Sequence, residues 1–149
     1  MVANRLVRLI ESHSEELADS LVQKLQTSER TTAYRKIPAH ELKAAVLEVY
    51  TNLGDWLMSK TETDVELRYR ELGRRRSAQA VPLSQFISSM LMTKEQLWAF
   101  LRRESISDGA LQLYGELEFL HTLANFYDRS IYYSAQGYEE KAAAAAKVA

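Results

Sequence analysis

Apolar positions along this chain recur at steps of three and four, and strand-like alternation is absent. Leu6, Leu9 and Ile10 mark one face of a first short helix, with Asn4 as its cap. Ser12-His13-Ser14-Glu15 has the form of a capping box, in which serine and glutamate satisfy each other's free backbone N–H groups. A second helix carries Leu17, Leu21, Val22 and Leu25 and stops near Thr27-Ser28. These two segments read either as separate helices or as one helix with a kink. Glu29 to Ile37 is polar and irregular, and the residue before Pro38 is biased away from helix. Pro38 suits the first turn of the next helix. That helix runs to about Lys60 on a broad apolar face of Leu42, Ala45, Val46, Val49, Tyr50, Leu53, Trp56 and Leu57, with Gly54 as a place for close packing.

Thr63-Asp64-Val65-Glu66 is a second capping-box pattern. It opens a helix bearing Val65, Leu67, Tyr69 and Leu72, followed by Gly73-Arg74-Arg75-Arg76. Val81-Pro82-Leu83-Ser84 ends that helix and starts another, which presents Phe86, Ile87, Met90, Leu91, Leu97, Trp98, Phe100 and Leu101. Arg102-Arg103 complements the negative end of its dipole. Ser105-Ile106-Ser107-Asp108-Gly109 is the last loop. The helix beyond it has no proline. Leu113, Leu117, Leu120, Ala124, Tyr127, Ile131, Ser134 and Tyr138 fall at alternating fours and threes, a heptad seam. Phe119, Leu123, Phe126, Ser130 and Tyr133 form a second stripe beside it. Two stripes need two partners: the domain's own core, and either a second copy of the chain or another helix of the same chain. At 1.5 Å per residue, about 30 residues span roughly 45 Å. A domain of this size has a radius of gyration near ~15 Å, so the helix is expected to project. The pattern thus predicts an all-α bundle of about six helices, one domain over 1–149, with 140–149 as a helical extension or frayed tail.

Composition adds limits. Hydrophobic residues make up 46% and charged residues 26%, and only five Gly and two Pro are present. These values suit one globular domain and not a turn-rich β protein. A net charge of −1 gives no reason to expect nucleic acid. Without cysteine there is no disulfide, no thiol nucleophile and no cysteine-ligated metal. The N-terminus lacks a signal-peptide core, and no apolar run approaches the ~18 residues of a membrane helix. The expected setting is cytoplasmic.

Candidate chemistry is sparse. None of the three histidines, His13, His40 and His121, stands in a metal-binding spacing. His121, Asn125, Asp128 and Tyr132 line one side of the long helix and form a candidate ligand site, with His121 also a candidate haem ligand. The plainer reading is the wet flank of an amphipathic helix, and the spacing weighs toward it. Arg74, Arg75 and Arg76 form a candidate anion or partner patch. Glu66 and Glu71 lie within helical pairing distance of Arg70 and Arg75, which weighs toward a solvated, ion-paired face. The tyrosines near the end, Tyr127, Tyr132, Tyr133 and Tyr138, weigh toward packing over lining a cavity. No nucleophile stands beside a base, and no glycine-rich phosphate loop follows a strand, so nothing argues for an enzyme.

Three stretches together carry a resemblance. They are Leu9 to Ala18; Arg70 to Phe86, with its glycine, arginine-rich turn and Val-Pro-Leu; and Phe126 to Ile131 followed by Gly137-Tyr138-Glu139-Glu140. They resemble the N-terminal sensory domain of the RsbR-type co-antagonists of bacterial stress signalling, over about residues 5 to 140. The same domain occurs fused to histidine kinases and other regulators. The resemblance implies a globin-like fold that dimerises, usually lacks haem, and hands a signal through its last helix to an output domain. It supplies no catalytic residues. The chain carries no output domain of its own, so it reads as an excised domain or as a protein acting through a separate partner. The leading expectation is a non-enzymatic sensor module: a homodimer formed through Leu113, Leu117, Leu120, Ala124, Tyr127 and Ile131, without metal or cofactor. A haem-binding gas sensor and a ligand-free assembly scaffold are the alternatives. A cavity among Tyr50, Trp56, Phe86, Met90, Trp98 and Phe126 would favour a sensor over a scaffold.

Overall fold

The computed structural model describes residues 2–104 and 110–148, with side chains described over 5–104 and 114–147. Its helices are α1 (Val2–Ser12), α2 (Ser14–Thr27), α3 (Ala39–Tyr50), α4 (Glu62–Ala78), α5 (Leu83–Glu104) and α6 (Ala110–Val148). A 3₁₀ segment, Glu29–Lys36, precedes α3, and a π turn, Asp55–Ser59, follows it. No strand occurs among the described residues, and the all-α expectation holds. The loop expected at 105–109 and the side chain of Leu113 lie outside the described residues.

Several boundaries differ from the sequence reading, each for a local reason. The chain kinks at His13, but no box forms around Ser12 and Glu15. Ser12 Oγ instead donates to the Leu9 carbonyl at 3.1 Å, closing α1, and α2 starts without a side-chain cap. The second box forms two residues earlier than expected. Thr61 Oγ1 accepts from the Asp64 N–H at 3.1 Å, and Asp64 Oδ2 accepts from the Thr61 N–H at 2.9 Å. Those backbone bonds hold the Asp64 carboxyl below its ordinary range. The segment read as irregular is a 3₁₀ helix because side chains satisfy its backbone: Gln26 Nε2 donates to the Ile37 carbonyl at 2.8 Å, and Gln85 Oε1 accepts from the Ala33 N–H at 2.7 Å. The helix expected to reach Lys60 leaves α-geometry after Tyr50, and the Lys60 N–H reaches back five residues to the Asp55 carbonyl at 2.7 Å.

Leu6, Ile10, Leu21, Tyr34, Tyr50, Leu53, Phe86, Leu97, Leu123 and Phe126 are among the most completely buried members of one continuous core. Phe126 sits at its centre, with ring centroids 5.2 Å from Tyr127, 5.9 Å from Tyr69 and 6.4 Å from Trp56. Leu67, expected on the apolar face of α4, is 62% exposed. The inward face of α4 is Val65, Tyr69, Gly73 and Arg76, at steps of four and three, and Leu67 falls on the opposite side.

The most extensive helix pair is α4 against α6. Gly73 and Gly137 make it so close. A methyl group on Gly73 would lie 2.7 Å from the backbone nitrogen of Tyr138, and one on Gly137 would lie 2.7 Å from the carbonyl carbon of Arg70. Real Cβ atoms do not approach backbone that closely, so only glycine allows these main chains to touch. Gly54, the glycine singled out in the sequence, has ordinary room; a Cβ there would meet Val7 Cγ1 at 3.4 Å.

Candidate functional site

The 39 residues of α6 span about 58 Å at 1.5 Å each. Its two stripes separate by environment. Phe119, Leu123, Phe126 and Ser130 are buried, and Tyr133 is half-buried, so the second stripe belongs to the core. In the heptad seam, Tyr127 and Ser134 are buried, Leu120, Ala124 and Ile131 are half-buried, and Leu117 is 56% exposed. The outer side of α5 is similar: Leu83 and Leu91 are exposed with half-buried Ile87 between them. Lys94 joins the two helices, donating to Asp128 at 3.3 Å while lying 5.7 Å from the centre of the Trp98 ring.

The far part of α6 is held to α4 by polar contacts around the glycine crossing. Arg70 pairs with Glu140 and with Glu66, the latter at 2.6 Å, and Arg74 reaches the other oxygen of Glu140 at 2.8 Å. Arg70, with Arg74 behind it, holds the Glu140 carboxyl below the usual carboxylate range. Tyr138 donates to the Val81 carbonyl at 2.6 Å. Residues 141–147 are exposed throughout, so the last turns extend past these contacts.

The candidate ligand residues lie along the outer side of α6. His121 Nε2 is 3.2 Å from Asn125 Nδ2, and Tyr132 accepts a bond from Gln136 at 3.1 Å. Asp128 alone of the four reaches another helix, through Lys94. All four are exposed, and His121 shares a shallow depression with Tyr114 and Leu117 of its own helix. The three arginines diverge. Arg74 turns to Glu140, and Arg75 faces the groove between α3 and α4. Arg76 is 4% exposed, stacked 5.8 Å over the Tyr34 ring and bonded to Gln79 at 2.9 Å. Consecutive residues sit about 100° apart on a helix, so a triplet cannot share one face.

A cavity of about 70 Å³ lies between α3, α4, α5 and α6, lined by Tyr50, Phe86 and Met90 of the expected set together with residues the sequence reading did not group. Those are chiefly Tyr34, Tyr69, Tyr127, Arg68 and Arg76. Tyr34 donates to Ser89 Oγ at 2.8 Å, and Tyr50 donates to Gln96 Oε1 at 2.9 Å. Burial raises the phenols of Tyr34, Tyr50, Tyr69 and Tyr127 above their ordinary range. It also lowers Arg76, whose carboxylate partner Glu41 stands 3.8 Å away. Haem held through His121 does not fit this arrangement, because that imidazole is outside and no histidine lines the cavity. Among the described residues no cluster of His, Asp or Glu side chains is disposed to hold a metal, and no helix is long and apolar enough to cross a membrane.

The described residues thus form an all-helical domain whose helix α6 runs past its contacts with α4. The family model of the RsbT co-antagonist protein rsbRD N-terminal domain matches residues 15–148, and the chain belongs to that family. It is therefore a regulatory domain of stress signalling, and the family points to regulatory partners of the stressosome. No curated protein and no solved structure gives a match.

Proposed function

We propose that this domain is a non-enzymatic, globin-like sensor of the cytoplasm. It pairs with a second copy through the outer sides of α6 and α5, and α6 carries a change in helix packing to an output domain or regulatory partner. The observation behind this reading is the incomplete cover of the heptad seam. Leu117, Leu120, Ala124 and Ile131 keep one regular apolar line along a helix whose other stripe is already in the core. Leucines at such spacing remain in water only at a cost, which a facing copy of the same stripe removes. A helix tied at Gly137 to α4 and free beyond Glu140 suits a relay, since a shift at the crossing displaces the turns past it.

Sedimentation of the purified chain at micromolar concentration tests the pairing. A dimer that Leu117→Asp converts to a monomer is expected; a wild-type monomer overturns the reading. The relay uses no cofactor. A Soret band that appears on adding haem and is lost in His121→Ala would overturn that part.

A further inference from the structure

The cavity has a composition that points to a ligand. Its walls are mostly apolar, from Leu42, Val46, Val49, Phe86 and Met90, and among the described residues the charged groups that line it are Arg68 and Arg76. Roughly 10–15 Å³ holds one water, so about 70 Å³ takes several waters or the body of a small molecule. One polar group of a wall residue is left without a partner. Arg68 Nη1 pairs with Glu48 at 2.5 Å and Nη2 donates to the Ala45 carbonyl at 2.8 Å, but its Nε–H is buried and unmatched. Tyr127 is 2% exposed and also lines the cavity. Buried donors are nearly always matched. The Arg68 guanidinium is held in place between the Trp56 and Tyr69 rings, 5.4 Å from each centroid. Ala45, Arg68 and Leu72 also line the open groove between α3 and α4, so Arg68 stands at the boundary of cavity and solvent.

We propose that this cavity binds a small monocarboxylate with a short apolar body, its carboxylate accepting from Arg68 Nε–H and the Tyr127 hydroxyl. The unmatched Nε–H of the Arg68 guanidinium selects a strong acceptor, which a carboxylate supplies. The aliphatic walls select one with a hydrocarbon part over an inorganic ion. The binding test is separate from the pairing test, because one reads ligand affinity and the other reads mass.

Butyrate is the probe, with acetate and butanol as partners that lack the apolar body and the charge. Titration followed by calorimetry and by tryptophan fluorescence, which Trp56 beneath Arg68 makes sensitive, is expected to give saturable butyrate binding. Acetate and butanol should bind about tenfold more weakly or less. Tyr127→Phe removes only a hydroxyl and keeps the ring packing, and it should weaken butyrate about tenfold. Arg68→Met should weaken it further. Val46→Phe, which fills the space, should abolish binding with helix content unchanged. Folded wild type that shows no saturable butyrate binding overturns the proposal. So does butanol binding as tightly as butyrate, or undiminished binding by the Tyr127→Phe, Arg68→Met double variant.

Discussion

The two flanks of α6 are built on opposite principles. Against α4 there is no space for a methyl group, and the main chains meet at Gly73 and Gly137. Along the seam of Leu117, Leu120, Ala124 and Ile131 the side chains are large and only partly covered. The first flank accepts one arrangement, because backbone cannot be compressed. The second is deformable, since leucine and isoleucine can repack against more than one neighbour. The relay proposed for α6 needs both: one side that fixes where it starts from, and one side that can answer a partner.

The contrast can be broken most forcefully at the crossing. Gly73→Ala and Gly137→Ala each drive a methyl into backbone and are expected to cost about 3 kcal/mol or more. The thermal midpoint should fall by roughly 10 °C, which calorimetry measures. A loss under about 1 kcal/mol would mean that the two helices can slide apart, and the difference between the flanks would vanish. On the other side, Leu117→Asp should leave the stability of the single chain within about 0.5 kcal/mol, since the residue is 56% exposed, while removing self-association on a sizing column.

Alkaline pH sharpens the picture from the core outward. Phenols that burial keeps neutral lose their protons more readily in the unfolded chain, so unfolding releases protons once the pH exceeds the ordinary tyrosine value near ~10. Stability should be level below that value and fall above it, with Tyr127→Phe flattening the slope in alkaline melts. The smallest effect is expected at the end of α6. The Glu140 carboxyl is depressed, so its contribution is present above the usual glutamate range and is lost as the pH falls through its own lower value. Glu140→Gln should leave the melt unchanged while speeding amide exchange in the last turns of α6.

Helix number and class were legible because stripes such as Leu42, Val46 and Val49 repeat at helical spacing whatever lies opposite them. The family was legible from the glycine, the arginine turn and Val81-Pro82-Leu83. Caps were less so: Ser12 and Thr63 match the capping pattern as well as Thr61 does, and the choice depends on which carbonyl or N–H is free. The cavity was hidden because its wall draws on residues from α2 through α6, and periodicity within one helix carries no record of its neighbours. Tyr127 was assigned to the seam for that reason. One signal was missed. Ser130, Ser134 and Gly137 place small residues at steps of four and three on one side of α6, and glycine inside a helix is costly enough to need a reason. Read together with Gly73, they mark the crossing.

That crossing also sets an order of events during synthesis. The glycine crossing joins α4 to a residue 64 positions further along the chain. Until the ribosome has released Gly137, the inward face of α4, with Val65 and Tyr69, has no seat to occupy. The emerging chain must therefore carry that face unsatisfied while the residues between the two helices are made, and the α4–α6 seam closes only once α6 is delivered.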